Sequence, residues 1–222
     1  MPRFGPSSSL LLCVALVACG SAAPSGDDGG AGAGGADAGG AGAGGAAATG
    51  GAPGAPTCDA YCAQIQAACT GSHQQYGDAD ACKSSCAALP TGAGTDTSGD
   101  TLGCRVHFAA LAAASAGAAA LYCTKAGPGG DGTCGTNCDG YCDIVMTYCT
   151  AANNAQIYGD RAACMADCAA HGTTAAYTTG DPGRTDMGDE VACQLYHAVM
   201  GSQAPEEHCL GDLALTALTC RM

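Results

Sequence analysis

Cysteine carries most of the reactive capacity of this 222-residue chain: there are eighteen. As thiolates they could hold zinc, exchange disulfides or act as nucleophiles, and when oxidised they could only staple. Sixteen fall into two matching runs: Cys58, Cys62, Cys69, Cys82, Cys86, Cys104, Cys123 and Cys134, then Cys138, Cys142, Cys149, Cys164, Cys168, Cys193, Cys209 and Cys220. Both runs open C-x3-C-x6-C, contain a second C-x3-C and close with C-x10-C, so a cysteine module has been duplicated. The C-x-x-C spacing of thiol oxidoreductases and of many zinc sites never occurs, and C-x-x-C-H, the covalent haem signature, is absent. No metal or cofactor site is expected.

Other residues that could do chemistry are sparse. His107-Phe108 occupies the place in the first copy that Tyr196-His197 occupies in the second. The histidine thus moves by one position, about 100° around a helix, which a shared metal or catalytic site would not tolerate. Asp96 and Asp100 precede the third predicted helix of the first copy, and Asp181, Asp186, Asp189 and Glu190 that of the second. Their oxygens could bind calcium, but no EF-hand ligand order is present and the loops differ in length, so solvated acidic loops are expected. His73, His171 and His208 stand alone, and neither G-x-S-x-G nor H-E-x-x-H occurs. No catalytic residue is expected.

The N-terminus has Arg3 followed by an apolar run from Leu10 to Val17. The run is shorter than the ~18 apolar residues a membrane-spanning helix needs, and reads as a signal peptide over residues 1–18. Its end, Leu16-Val17-Ala18-Cys19, resembles the lipobox of bacterial lipoproteins, which implies that Cys19 is lipidated and becomes the first residue. An ordinary secretory signal cut after Ala18 or Ala23 is the alternative. Setting aside Cys13 with the signal and Cys19 with the lipid leaves sixteen cysteines, eight in each copy, in a compartment that oxidises thiols. Disulfides are therefore expected, with no thiol left over.

Residues 19–57 form a Gly/Ala-rich tether whose few charges are Asp27, Asp28 and Asp37. It lacks the apolar surface to fold, and as a flexible coil it reaches roughly 35 Å. The formal net charge of −13 argues against nucleic acid as a partner and against anionic lipid headgroups, leaving membrane attachment to the N-terminal lipid. Tryptophan is absent and there are two phenylalanines, so modules at 58–135 and 136–222 have little core beyond alanine and sulfur. At that size, covalent staples are needed.

The fold class predicted is all-α. Thr57 and Asn137 are placed to cap a first helix in each module, with Asp59 or Asp139 in the first turn. Residues 58, 62, 65 and 69, and likewise 138, 142, 145 and 149, then share one helical face. Asp78 and Asp160 cap a second helix carrying the second C-x3-C pair. Antiparallel packing of these two helices pairs Cys58 with Cys86, Cys62 with Cys82, Cys138 with Cys168 and Cys142 with Cys164. A third helix follows Asp100 or Asp189 and brings Cys104 toward Cys69 and Cys193 toward Cys149. That leaves Cys123–Cys134 and Cys209–Cys220, although eight cysteines allow many connectivities and spacing alone does not choose among them. Leu213, Leu215 and Leu218 suggest a short terminal helix.

The twin C-x3-C hairpin resembles, by convergent geometry, that of small chaperones of the mitochondrial intermembrane space. The repeat as a whole is similar to cysteine-rich tandem repeats of bacterial lipoproteins and secreted proteins, some of which sit beside cytochrome-type domains. The expectation is a bacterial cell-envelope lipoprotein, in the outer membrane, that displays two disulfide-rich modules as a non-enzymatic binding or structural element for a protein or glycan ligand. The alternatives are a metal-handling or electron-transfer accessory, and a secreted enzyme or enzyme inhibitor without recognisable motifs.

Overall fold

In a computed structural model, residues 54–115, 117–153, 155–171, 176–180, 190–209 and 220 are described. The segments expected to be a signal peptide and a tether, Cys19 among them, lie outside these residues except for the end of the latter, as do the acidic stretch at 181–189 and the leucines at 213–218. Among the described residues there are eight α-helices and no strand: α1 (Cys58–Ala68), α2 (Ala79–Ala88), α3 (Leu102–Ala113), α4 (Ala119–Ala126), α5 (Asn137–Tyr148), α6 (Arg161–Ala170), α7 (Glu190–Gly201) and α8 (Pro205–His208). None is long and apolar enough to cross a membrane.

The helix starts follow from side-chain capping. Thr57 accepts from the Ala60 amide, Asp78 from that of Ala81 and Asp160 from that of Ala163. Two caps sit one residue from their predicted place. Thr101, not Asp100, caps α3, and Thr136, not Asn137, caps α5 in a reciprocal capping box with Asp139. In both cases a threonine hydroxyl takes the amide three residues on, which frees the neighbouring polar side chain for other work.

Helices α1 and α2 form the first hairpin, closed by Cys58–Cys86 and Cys62–Cys82; α5 and α6 form the second, closed by Cys138–Cys168 and Cys142–Cys164. The other four bonds differ from the expected pairs. Cys69 joins Cys123 rather than Cys104, and Cys104 joins Cys134. Cys149 joins Cys209 rather than Cys193, and Cys193 joins Cys220. The reason is the placement of α4, which packs on α3 and on the 3-10 turn Gly71–His73 that follows Cys69, so that Cys123 rather than Cys104 reaches the end of α1. The first turn of α3 is held instead against the segment leaving α4, where the Gly99 amide donates to the Thr133 carbonyl. The last two cysteines of each run, with ten residues between them, therefore serve different helices.

Both cysteine sets lie in one compact unit, Ala48–Met222. Helix α2 packs on α5 and α7, so the first repeat is in direct contact with the second. Tyr148 Oη donates to the Ser84 carbonyl at 2.7 Å, and Ser202 Oγ lies 2.7 Å from Ser84 Oγ. Thr178 and Thr179, from the second repeat, bond the Gln74 carbonyl of the first. The core is built from disulfide sulfur, alanine and a few larger residues, among them Tyr61, Tyr76, Ile65, Tyr141, Ile144, Val145 and Leu195. Leu121 is the exposed large hydrophobic residue among those described, so this surface offers no broad apolar patch.

Candidate functional site

All sixteen cysteines of the duplicated runs are paired, which removes thiolate chemistry from them as the protein stands. Cys193, His197 and Cys220 do present their ligand atoms within 4.8 Å of one another. The two sulfurs, however, are bonded to each other and cannot act as thiolate donors. One helical turn after the matching cysteine of the first repeat stands Phe108, edge-on to His107 at 5.1 Å and beneath Lys125. The two repeats thus place a histidine and a phenylalanine in the same spot beside a disulfide, the pattern of packing rather than of a shared ligand set.

In the acidic loop before α3 the structure adds specific partners to what the sequence suggested. Most of the loop is exposed as expected, but its two carboxylates are engaged. Asp96 Oδ2 accepts from the Ala93 amide and from Thr101 Oγ1, both at 2.9 Å. Asp100 is mostly buried, and its Oδ1 accepts from Arg105 Nη2 at 2.8 Å. With guanidinium and hydroxyl donors already on them, these oxygens do not form a cage for calcium.

Arg105 is the centre of this region and is wholly buried. Its Nε donates to the Gly127 carbonyl, Nη1 to that of Thr101, and Nη2 to both the Pro128 carbonyl and Asp100. The planar fork ties the start of α3 to the segment after α4, bonds that a lysine ammonium could not reproduce together. Asp100 then passes the charge across the junction: its Oδ2 lies 3.5 Å from Arg161 Nη2, at the start of α6 in the second repeat. Arg161 also donates to Asp139 Oδ1 at 3.1 Å and through Nε to Asp143 Oδ1 at 2.8 Å.

Two arginines and three aspartates from both repeats therefore form one continuous cluster. Burial raises the Asp139 carboxyl, but hydrogen bonds from Thr136 and Arg161 outweigh it and hold it below the usual carboxylate range. Asp143 behaves oppositely. Burial pushes it up to about 7; the hydrogen bond from Arg161 opposes this, and the neighbouring Asp100 carboxylate adds to it. Asp143 Oδ2 is buried without a hydrogen-bond partner.

Counting from the matching cysteines, Asp143 and Arg161 stand where the first repeat has Ala63 and Ala79. The cluster thus exists because the copies have diverged. The sequence reading passed over Arg105, Asp143 and Arg161; for the last two the one available signal was that charged residues replace alanines between otherwise matched copies, while Arg105 stands where the second repeat has Gln194. The tyrosines, by contrast, are duplicated: Tyr61 meets Tyr76 edge-to-face at 6.2 Å, and Tyr141 meets Tyr158 at 6.3 Å. Tyr61 Oη also donates to the Ala126 carbonyl at 2.6 Å, which marks the pair as a polar brace inside the core.

A shallow cleft beside α8 is lined by Asn153, Ala204, Pro205, Glu206 and Glu207, none of which belongs to the ionic cluster. His171 Nε2 lies 3.9 Å from Asp167 at the end of α6, His73 ends the 3-10 turn after Cys69, and His208 ends α8; the structure brings none of the three into a common site.

Residues 55–138, which span the first repeat as far as Cys138, match the family model described as the BfoA family C-terminal domain. No curated protein and no solved structure matches the chain.

Proposed function

We propose that the chain is an exported bacterial lipoprotein, anchored through Cys19 in the cell envelope, that displays a disulfide-stapled helical body as a non-enzymatic binding or structural element. The observation that carries this reading is the complete pairing of the sixteen cysteines from Cys58 to Cys220. A fold so dependent on oxidised sulfur suits an oxidising compartment, and Cys19 is then the cysteine left for a lipid after the signal peptide is removed. Longer loops gain most from closure, and each bond that closes one of the outer loops here contributes about 3–4 kcal/mol in chain-entropy terms.

The Gly/Ala tether would let the body stand off the membrane, and the outer-membrane leaflet with a protein or glycan partner is the setting it fits. The non-enzymatic reading draws support from the ionic cluster, whose donors and acceptors mostly satisfy one another. Metabolic labelling with palmitate tests the anchor. Label should enter the wild-type chain and not the Cys19→Ser variant; label in the variant would refute lipidation at Cys19. Titration of thiols in the native protein tests the rest, since free thiols together with stoichiometric bound metal would favour a metal-handling role instead.

A further inference from the structure

We propose that Asp100 and Asp143 share a single proton that locks the two repeats together, so that the junction is tighter in mildly acidic than in alkaline surroundings. The argument begins with charge. Fully ionised, the cluster holds three carboxylates, Asp100, Asp139 and Asp143, against two guanidiniums, Arg105 and Arg161. Arg105 is wholly buried and committed to Asp100 and three carbonyls. Arg161 is left to serve three carboxylates, one of which, Asp143, has a side chain only 7% exposed.

The second point is the hydrogen that is missing. Asp143 Oδ1 accepts from Arg161, while Oδ2 is buried with no donor facing it. The Asp100 carboxylate, a second acceptor, is gathered on the same guanidinium: Arg161 Nη2 lies 3.5 Å from Asp100 Oδ2 and Nε 2.8 Å from Asp143 Oδ1. Two carboxylates gathered on one guanidinium repel unless a proton lies between them, and a proton both removes the excess charge and fills the vacant bond.

The surrounding groups leave that proton unchallenged. On the loop before α3, Asp96 is occupied by Thr101 and the Ala93 amide. On the turn after α4, Asp131 accepts from Thr124 and lies 4.0 Å from Lys125. Helix α5 contributes Asp139 and Asp143, α6 contributes Arg161, and α3 contributes Arg105; among the described residues no further charged side chain joins the cluster. Because Asp100 belongs to one repeat and Asp143 to the other, the shared proton is an inter-repeat bond.

The direction of the pH effect follows from the raised carboxyl. Asp143 moves from an ordinary value of 3.8 to about 7 in the folded chain. Its stabilising proton is held fully at acidic pH and lost as pH rises through the folded value, so stability falls between those two limits and levels above them.

The test uses the full chain with disulfides intact. Carboxyl-carbon NMR should show Asp143 titrating near neutrality, and Asp100→Asn should lower that midpoint by about one pH unit or more, since the neighbouring charge is gone. An Asp143 midpoint in the ordinary carboxylate range, or one that Asp100→Asn leaves in place, would overturn the proposal. So would a midpoint that shifts with added calcium, because a cation would then fill the proton's place. As a second readout, thermal unfolding should be easier at pH 8 than at pH 5 in the wild type, and Asp143→Asn should abolish the difference while retaining the amide oxygen that Arg161 bonds. Persistence of the same pH dependence in Asp143→Asn would also overturn it.

Discussion

Replacing Arg105 by methionine removes the guanidinium while keeping a long, flexible, apolar side chain of comparable reach. In the folded protein this deletes four donated bonds: to Gly127 at 3.2 Å, Thr101 at 3.2 Å, Asp100 at 2.8 Å and Pro128 at 3.0 Å. Asp100 keeps Arg161 at 3.5 Å, so it is weakened rather than stranded. The carbonyls of Gly127 and Pro128 face a fully buried site that water reaches poorly. Truncating one partner of a buried charged pair costs about 3–5 kcal/mol, and the single-bond losses are contained in that figure rather than added to it. Against a typical total of roughly 5–15 kcal/mol this is a large fraction. Guanidinium denaturation of the oxidised protein is the assay, because the disulfides persist in the unfolded chain and the change reports noncovalent terms. With a slope of about 4 kcal/mol per molar, Arg105→Met should lower the midpoint by about 1 M. Arg105→Lys should recover only part, since an ammonium pairs with Asp100 but cannot span the three carbonyls. A shift below about 0.2 M for Arg105→Met would refute the assignment of Arg105 as the pin of the first repeat.

Three further outcomes are expected. Peptide mapping without reduction should link the peptide bearing Cys69 to that bearing Cys123, and the Cys104 peptide to Cys134; a Cys69–Cys104 link would contradict the placement of α4. Gly140→Ala should lower stability by about 1–2 kcal/mol, because its new methyl group meets the Pro128 carbonyl. Ala occupies the equivalent position of the first repeat, Ala60, so Ala60→Gly should cost only the helix propensity of about 1 kcal/mol; equal behaviour of the two would show that the Pro128 contact is immaterial. In alkaline absorbance titration, Tyr61 and Tyr76 should remain un-ionised where ordinary tyrosines titrate, because burial raises both, Tyr76 to about 12. Normal titration of all tyrosines in the folded protein would contradict the buried pair.

Cysteine spacing made the hairpins readable because a C-x3-C pair places two sulfurs on one side of a helix, and two such helices can meet antiparallel in essentially one register. The caps were readable for the same local reason, to within one residue. By contrast, the bonds of Cys69, Cys104, Cys123 and Cys134 depend on where α4 lies, and an eight-residue alanine-rich helix carries little pattern to say which side it packs. The junction was hidden more deeply. Asp100 looks like a loop carboxylate until Arg105 folds beneath it, and Asp143 and Arg161 are ordinary polar residues on their own helices.

The linear chain therefore determined what local geometry can determine: the helical class, the duplicated hairpins with their four inner disulfides, and the acidic charge. Tertiary structure alone decided the four outer disulfides, the merging of both cysteine sets into one body, and the gathering of Asp100 and Asp143 on Arg161. The physical reason is range. A helix face and its cap depend on neighbours within a turn or so, whereas a buried charge acquires its partners, and Asp143 its raised pKa, only when residues more than forty positions apart share one dry volume.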